Sequence, residues 1–139
     1  TVRRRYDRPG EYSEVLRVAD AVGHVSVDFA VVQVVDPNGP LPPAMHLAHY
    51  PTQGVRSGDA VTFLVRTFRT THGRETIDFG DGSPPDQLAS DGCADPMARA
   101  GYAVTTHRFA KAGLYIVTAR RANEHGHEAV MRTCVIVQP

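Results

Sequence analysis

The stretch TIDFGDGSPP, residues 76–85, ends an alternating run in an abrupt corner. Ile77 and Phe79 alternate with Thr76 and Asp78, which puts the two apolar side chains on one face of a strand. Gly80 and Gly82 then permit the positive-φ backbone of a tight turn. Asp81, between them, has two readings. Its carboxylate either accepts hydrogen bonds from nearby backbone amides and holds the corner, with Ser83 in the same role, or it is a ligand for a metal, phosphate or substrate. Turn chemistry is the simpler account.

Outward from this corner the same period of two recurs. Residues 14–18, 25–29, 30–35, 60–68, 76–79, 102–109, 114–121 and 129–137 predict strands. Turn formers separate them: Arg8-Pro9-Gly10, Pro37-Asn38-Gly39-Pro40, Ser57-Gly58-Asp59 and His125-Gly126. Short strands with frequent turns predict an all-β protein, an antiparallel β-sandwich. Residues 84–101, PPDQLASDGCADPMARAG, break the rhythm as a long polar loop, with room for a helical turn capped by Asp95 and opened by Pro96.

The chain also repeats itself without gaps at an offset of 103 residues. Arg5, Gly10, Tyr12, Arg17, Ala19, Gly23, His24, Val27, Val32 and Val34 recur as Arg108, Gly113, Tyr115, Arg120, Ala122, Gly126, His127, Val130, Val135 and Val137. Glycine, aromatic and apolar spacing are kept together. Strands at 60–68 and 76–79 precede the second copy, and nothing comparable precedes the first. The expectation is therefore three segments. Residues 1–37 form the last strands of one sandwich, residues 38–43 a proline-rich linker, and residues 44–139 a complete second sandwich. A half-sandwich leaves strand edges unpaired and an apolar face wet. Residues 1–37 are thus expected to be completed by an adjacent domain, a second copy of this chain or another subunit. Docking onto the second sandwich as extra strands is the competing arrangement.

Fifteen basic residues balance fifteen acidic ones in 139 residues, with 42% apolar and 22% charged. That balance gives no whole-molecule reason to bind nucleic acid or an anionic membrane. No apolar run approaches the roughly 20 residues of a membrane helix. Arg3, Arg4, Arg5 and Arg8 form the one basic cluster, and strand alternation sends Arg4 to the face opposite Arg3 and Arg5. Cys93 and Cys134 are compatible with one disulfide, which would pin the long loop, or with two separate thiols.

Downstream of the Gly-Asp-Gly corner come His107-Arg108-Phe109, Gly113-Leu114-Tyr115 and Asn123-Glu124-His125-Gly126. With Asp78-Phe79-Gly80-Asp81-Gly82, this order resembles the PKD (polycystic kidney disease) domain family, an immunoglobulin-like β-sandwich, over about residues 44–137. Residues 5–35 resemble the family's C-terminal half. The chain departs from the family pattern in having Ile77 where tryptophan is usual, and in the length of its 84–101 loop. The resemblance implies a non-catalytic module of a secreted or surface protein, in contact with proteins or polysaccharides. It also implies that Asp78, Phe79, Gly80, Asp81, Gly82, His107, Phe109, Gly113 and Tyr115 form a structural signature. Calcium is bound by some members.

Several residue sets also have the types that particular chemistries need. Asp78, Asp81 and Asp86 are the nearest set of oxygens for calcium. His46, His49, His72, His125 and His127 supply nitrogen ligands without a zinc motif. Ser83, His107 and Asp81 are the residue types of a hydrolytic triad, but no Gly-x-Ser-x-Gly elbow is present. Tyr50, Tyr102 and Phe68 are the aromatics available to a sugar. No cofactor is required by any of these patterns. The expected function is a spacer or interaction domain, with two alternatives: an accessory module of a secreted glycoside hydrolase or protease, or a calcium-stabilised adhesion module.

Overall fold

In the computed structural model, which describes residues 1–139, the alternating segments form nine strands and no helix. They are β1 (Gly10–Ala19), β2 (Val25–Val34), β3 (Ala44–Tyr50), β4 (Ala60–Phe68), β5 (Glu75–Asp78), β6 (Asp86–Leu88), β7 (Ala103–Arg108), β8 (Gly113–Ala122) and β9 (Glu128–Val137). The order β2-β1-β9-β8-β5-β6 makes one sheet and β3-β4-β7 the other. All pairings are antiparallel except β1 with β9, which meet in parallel at Glu11 and Ala129. The result is the β-sandwich that the alternation and turns predict, of the immunoglobulin-like kind that the resemblance implies.

Alternation determines the core. Val61, Phe63 and Val65 of β4 face Val117 and Ala119 of β8, Val135 and Val137 of β9, and Ile77 with Phe79 from the β5 end. All are buried, and each large side chain among them contributes about 1.5–3 kcal/mol. β3 and β6 are strands beyond those predicted from sequence. β3 follows the proline run directly, and that run is packed rather than a free tether. Pro42 and Pro43 are buried, and the Pro42 carbonyl accepts from Arg69 Nε at 2.7 Å.

The 103-residue repeat is a repeat of structure. β1 and β8 begin and end at equivalent residues, as do β2 and β9. Tyr12 donates its hydroxyl to Arg8 O at 2.8 Å, and Tyr115 donates to Lys111 O at 2.8 Å. Tyr6 packs on Tyr12 as Phe109 packs on Tyr115, with ring centroids 4.7 and 4.5 Å apart. At the hairpin ends, Asp20 accepts from the amides of Val22 and His24, and Asn123 from those of His125 and His127. Gly23 and Gly126 close the two turns at φ 89° and 75°, the left-handed region that glycine adopts without steric cost.

The two hairpins differ in which way they face. In the second, Tyr115, Val117 and Ala119 look into the core. In the first, Glu11 and Ser13 are the buried residues at the join, and the Glu11 carboxylate accepts from Met45 N at 2.7 Å. Alternation then turns Tyr12, Glu14, Leu16 and Val18, the equivalents of the core-facing set, away from the sandwich. β1 and β9 splay beyond their single point of pairing, and the Arg132 guanidinium bonds to the Ser13 carbonyl between them.

Candidate functional site

The corner quoted at the outset is built from its own hydrogen bonds. Asp78 Oδ1 accepts from Gly80 N at 2.8 Å. Asp81 Oδ1 accepts from Ser83 N at 3.0 Å and Ser83 Oγ at 2.6 Å. Asp81 Oδ2 lies 2.7 Å from His107 Nε2, which must carry the proton because a carboxylate only accepts. Gly80 sits at φ 75°, and a Cβ there would lie 2.5 Å from the Ile116 carbonyl, so the corner passes too close to β8 for any side chain.

The aromatic residues of the signature form one continuous stack. Phe63 meets Phe79 at 5.4 Å, Phe79 lies nearly parallel on His107 at 3.9 Å, and His107 meets Phe109 edge-on at 4.8 Å. Phe109 then packs on Tyr115. Thus Phe79, Asp81, His107, Phe109 and Tyr115 converge although they come from three different segments. Gly82 supplies a second positive φ, 83°. Gly113 has an ordinary φ and only van der Waals contact with the Tyr115 ring, so the space around it does not demand glycine. Burial opposes ionisation of Asp81, but the bonds from Ser83 and His107 outweigh it and hold its pKa at about 2. The Asp81 and His107 side chains are 15% and 16% exposed, so this pair is largely covered even though the backbone of the turn is at the surface.

This geometry bears on each candidate chemistry. The carboxylate stands between the serine and the histidine, so Ser83 Oγ meets Asp81 and not the imidazole. A nucleophile needs the imidazole beside it and the carboxylate behind the imidazole. Asp86 is occupied elsewhere, accepting from Thr105 Oγ1 at 2.6 Å. Asp78, Asp81 and Asp86 are not brought together as a ligand set, and no group of three His, Cys, Asp or Glu side chains is arranged for a metal. The donors around the corner therefore do not fit calcium, which takes six to eight oxygens. His125 and His127 lie side by side with ring centroids 6.1 Å apart. Of the three aromatics considered for sugars, Tyr50 is exposed. Phe68 and Tyr102 are half-buried with the Arg66 guanidinium against both, 5.6 and 5.7 Å from their ring centres.

Both cysteines are free thiols, so the disulfide considered from sequence is not formed. Cys134 faces outward from the six-stranded sheet, midway along β9, whereas Cys93 belongs to the loop beside the ends of β4 and β5. Two buried arginines hold that loop instead. Arg66 Nε and Nη2 donate to both oxygens of Asp91 at 2.9 and 2.7 Å, and Nη2 also donates to Asp95 O at 2.8 Å. Gly101 leaves the space for that guanidinium, which a Cβ would enter. The Asp95 turn is present as a single bonded turn without becoming a helix, with Met97 N on Asp95 Oδ1 and Ala98 N on Asp95 O.

Arg121 is the deeper of the two. Its Nη1 donates to Glu75 Oε1 at 2.9 Å with the side chains 2% and 0% exposed. Thr67 Oγ1, Ser90 N and Ser90 Oγ also donate to Glu75, and Arg121 Nε caps the His72 carbonyl. Burial raises the Glu75 pKa, but these donors prevail and keep it below the usual carboxylate range. Sequence reasoning missed both arginines. Their partners lie 25 and 46 residues away, and an isolated arginine on an alternating strand reads as solvated.

No family model matches the chain, and no curated protein matches it. Among solved structures, the fold is similar to the PKD domain of an M14-like peptidase from Thermoplasmatales archaeon SCGC AB-540-F20. The TM-score is 0.52 at 20% identity, covering 70% of this chain and 97% of that one. A likeness at that identity speaks for the fold alone, and it agrees with the corner, the aromatic stack and the tyrosine after glycine: the chain has a PKD-like, immunoglobulin-type β-sandwich fold.

Proposed function

We propose that this chain is a non-catalytic module that acts through its surface, as a spacer or interaction domain of a larger secreted or surface protein. The observation that carries the proposal is the contrast between its polar and apolar features. The conspicuous polar groups, Asp81, His107, Glu75, Arg121, Arg66 and Asp91, are all committed to one another or to backbone. By contrast, Leu16 and Val18 are 60% and 57% exposed on a well-formed strand. Apolar residues grouped on a sheet face suit contact with another surface better than contact with solvent. No helix is long and apolar enough to cross a membrane.

Incubation with chromogenic esters, glycosides and peptides tests the non-catalytic part. No turnover above buffer is expected. Hydrolysis that disappears in Ser83→Ala or His107→Ala would overturn the proposal.

A second reading has one observation in its favour. The similar PKD domain comes from an M14-like peptidase, which suits an accessory module beside a protein- or polysaccharide-degrading domain. Retention on insoluble collagen, cellulose or chitin would select that reading, and passage through all three would select the spacer.

A further inference from the structure

The exposed face of the first hairpin has a template inside the same chain. In the second hairpin the equivalent face is covered by β3, β4 and β7, and the β8 edge pairs with β5 at Thr118, Ala119 and Arg120. Residues 15–17 of β1 pair with β2 on one side, and their other edge, the equivalent one, pairs with no strand. Beside it, a groove of about 590 Å³ runs over Glu14, Leu16, Asp28, Ala30 and Val32. Part of the missing cover is already in place. Val2, Arg4 and Tyr6, equivalent to Thr105, His107 and Phe109 at the end of the opposing sheet, line the same groove. Arg4 Nε is 3.0 Å from Glu14 Oε1, and Tyr6 stacks on Tyr12. A strand end, a tyrosine tie and a turn are thus all built to the same plan, while the pairing strand and the covering sheet are missing.

We infer that this face is the docking site for the complementary half of a sandwich of the same fold. That half would add an antiparallel strand to β1 at residues 15–17 and lay an apolar sheet over Leu16, Val18 and Val32. The inference deepens the interaction reading above and rests on it. The occupant's chemistry follows from the face. Its pairing strand carries an apolar residue opposite Leu16, as Ile77 is opposite Ala119. Its sheet carries a cation toward Asp28, which stands where the second copy has Met131 and which has no ion-pair partner of its own. A second copy of this chain fits less well, because its own β3-β4-β7 sheet is already filled by β8 and β9.

The test repeats residues 38–103 ahead of Thr1 in the full chain, so that the offset supplies each missing strand. Glu14→Val, Val18→Arg and Asp28→Met give the face the second copy's residues where the added strands meet it, and Val18→Arg supplies the partner that the repeated Glu75 carboxylate otherwise lacks. Amide exchange at residues 15–18 is expected to slow by about 100-fold or more relative to the unextended chain carrying the same three substitutions. Leu16→Asp in the extended chain should abolish the gain, and Val31→Ser, on the opposite face and outside the groove, should leave it. Unchanged exchange, or an added segment that stays unfolded beside a folded 44–139, overturns the inference. So does a gain sensitive to Val31→Ser and not to Leu16→Asp. Sedimentation of the unmodified protein is expected to show a monomer. A dimer dissolved by Leu16→Asp would assign the face to a second copy and also overturn the inference. None of these outcomes bears on the hydrolysis assays, so the two proposals fail separately.

Discussion

The two hairpins of this chain share length, register, turn and tyrosine tie, yet one is core and the other is rim. Val117 and Ala119 are fully buried, and Val18 and Leu16 on the equivalent face are mostly exposed. Local sequence therefore suffices to shape a hairpin, while its burial depends on what lies across from it. A two-stranded ribbon is marginal alone in water. The first hairpin is held at one end only, by the Glu11–Ala129 pairing, the Met45 amide and the Arg132 cap on Ser13.

Substitutions at paired positions can break that contrast. The largest effect is expected at Arg121, whose equivalent is Val18. Arg121→Val strands the Glu75 carboxylate in the core and should cost about 3–5 kcal/mol, read as a shift in urea midpoint. Val18→Arg on the exposed strand should shift it by less than about 0.5 kcal/mol. Next comes the aromatic pair. Phe109→Ala should cost about 3–5 kcal/mol by leaving a cavity. Tyr6→Ala should leave the global midpoint nearly unchanged and speed amide exchange only in β1 and β2. A global loss from Tyr6→Ala equal to that from Phe109→Ala would refute the idea that the first hairpin lies outside the cooperative core.

Smaller effects sharpen the comparison. Because the folded pKa of Asp81 is depressed to about 2, its contribution is present above its unfolded value of 3.8 and is lost as pH falls toward 2. After solvent screening this is on the order of 1 kcal/mol, and His107→Ala should remove part of it, seen as a shallower loss of stability between pH 4 and 2. The smallest effect concerns Glu11. Burial raises its pKa against the bond from Met45 N, so its contribution is full below the unfolded pKa and declines as pH rises through the folded one. Glu11→Gln keeps an acceptor for Met45 N without the charge. Its melting temperature at pH 7 should equal or exceed that of the parent, and a marked drop would show that the ionised carboxylate anchors the hairpin.

Much of this architecture was legible in sequence for physical reasons. Alternation locates β4, β8 and β9 because one face of each is buried. The Gly-Asp-Gly corner is visible because positive φ and close approach to β8 leave little choice but glycine. The 103-residue offset exposes the twin hairpins because turn, tie and packing residues recur together. β3 was not legible, since Met45 and Leu47 alternate with histidines and alanines directly after prolines. Nor were the arginines that hold the 84–101 loop, because their partners are distant in sequence. The orientation of the first hairpin also lies beyond sequence. Both of its faces carry valines, Val15, Val27 and Val31 on one and Val18, Val32 and Val34 on the other, so periodicity does not say which side meets the sandwich.

Native-state amide exchange on the unmodified protein, comparing residues 15–18 of β1 with residues 118–121 of β8, tests the central claim most directly. The account predicts that the β8 amides exchange only through global unfolding, while those of β1 exchange through a local opening orders of magnitude more often. Equal protection at the two sets would contradict it, because the first hairpin would then already have the cover that its sequence twin has.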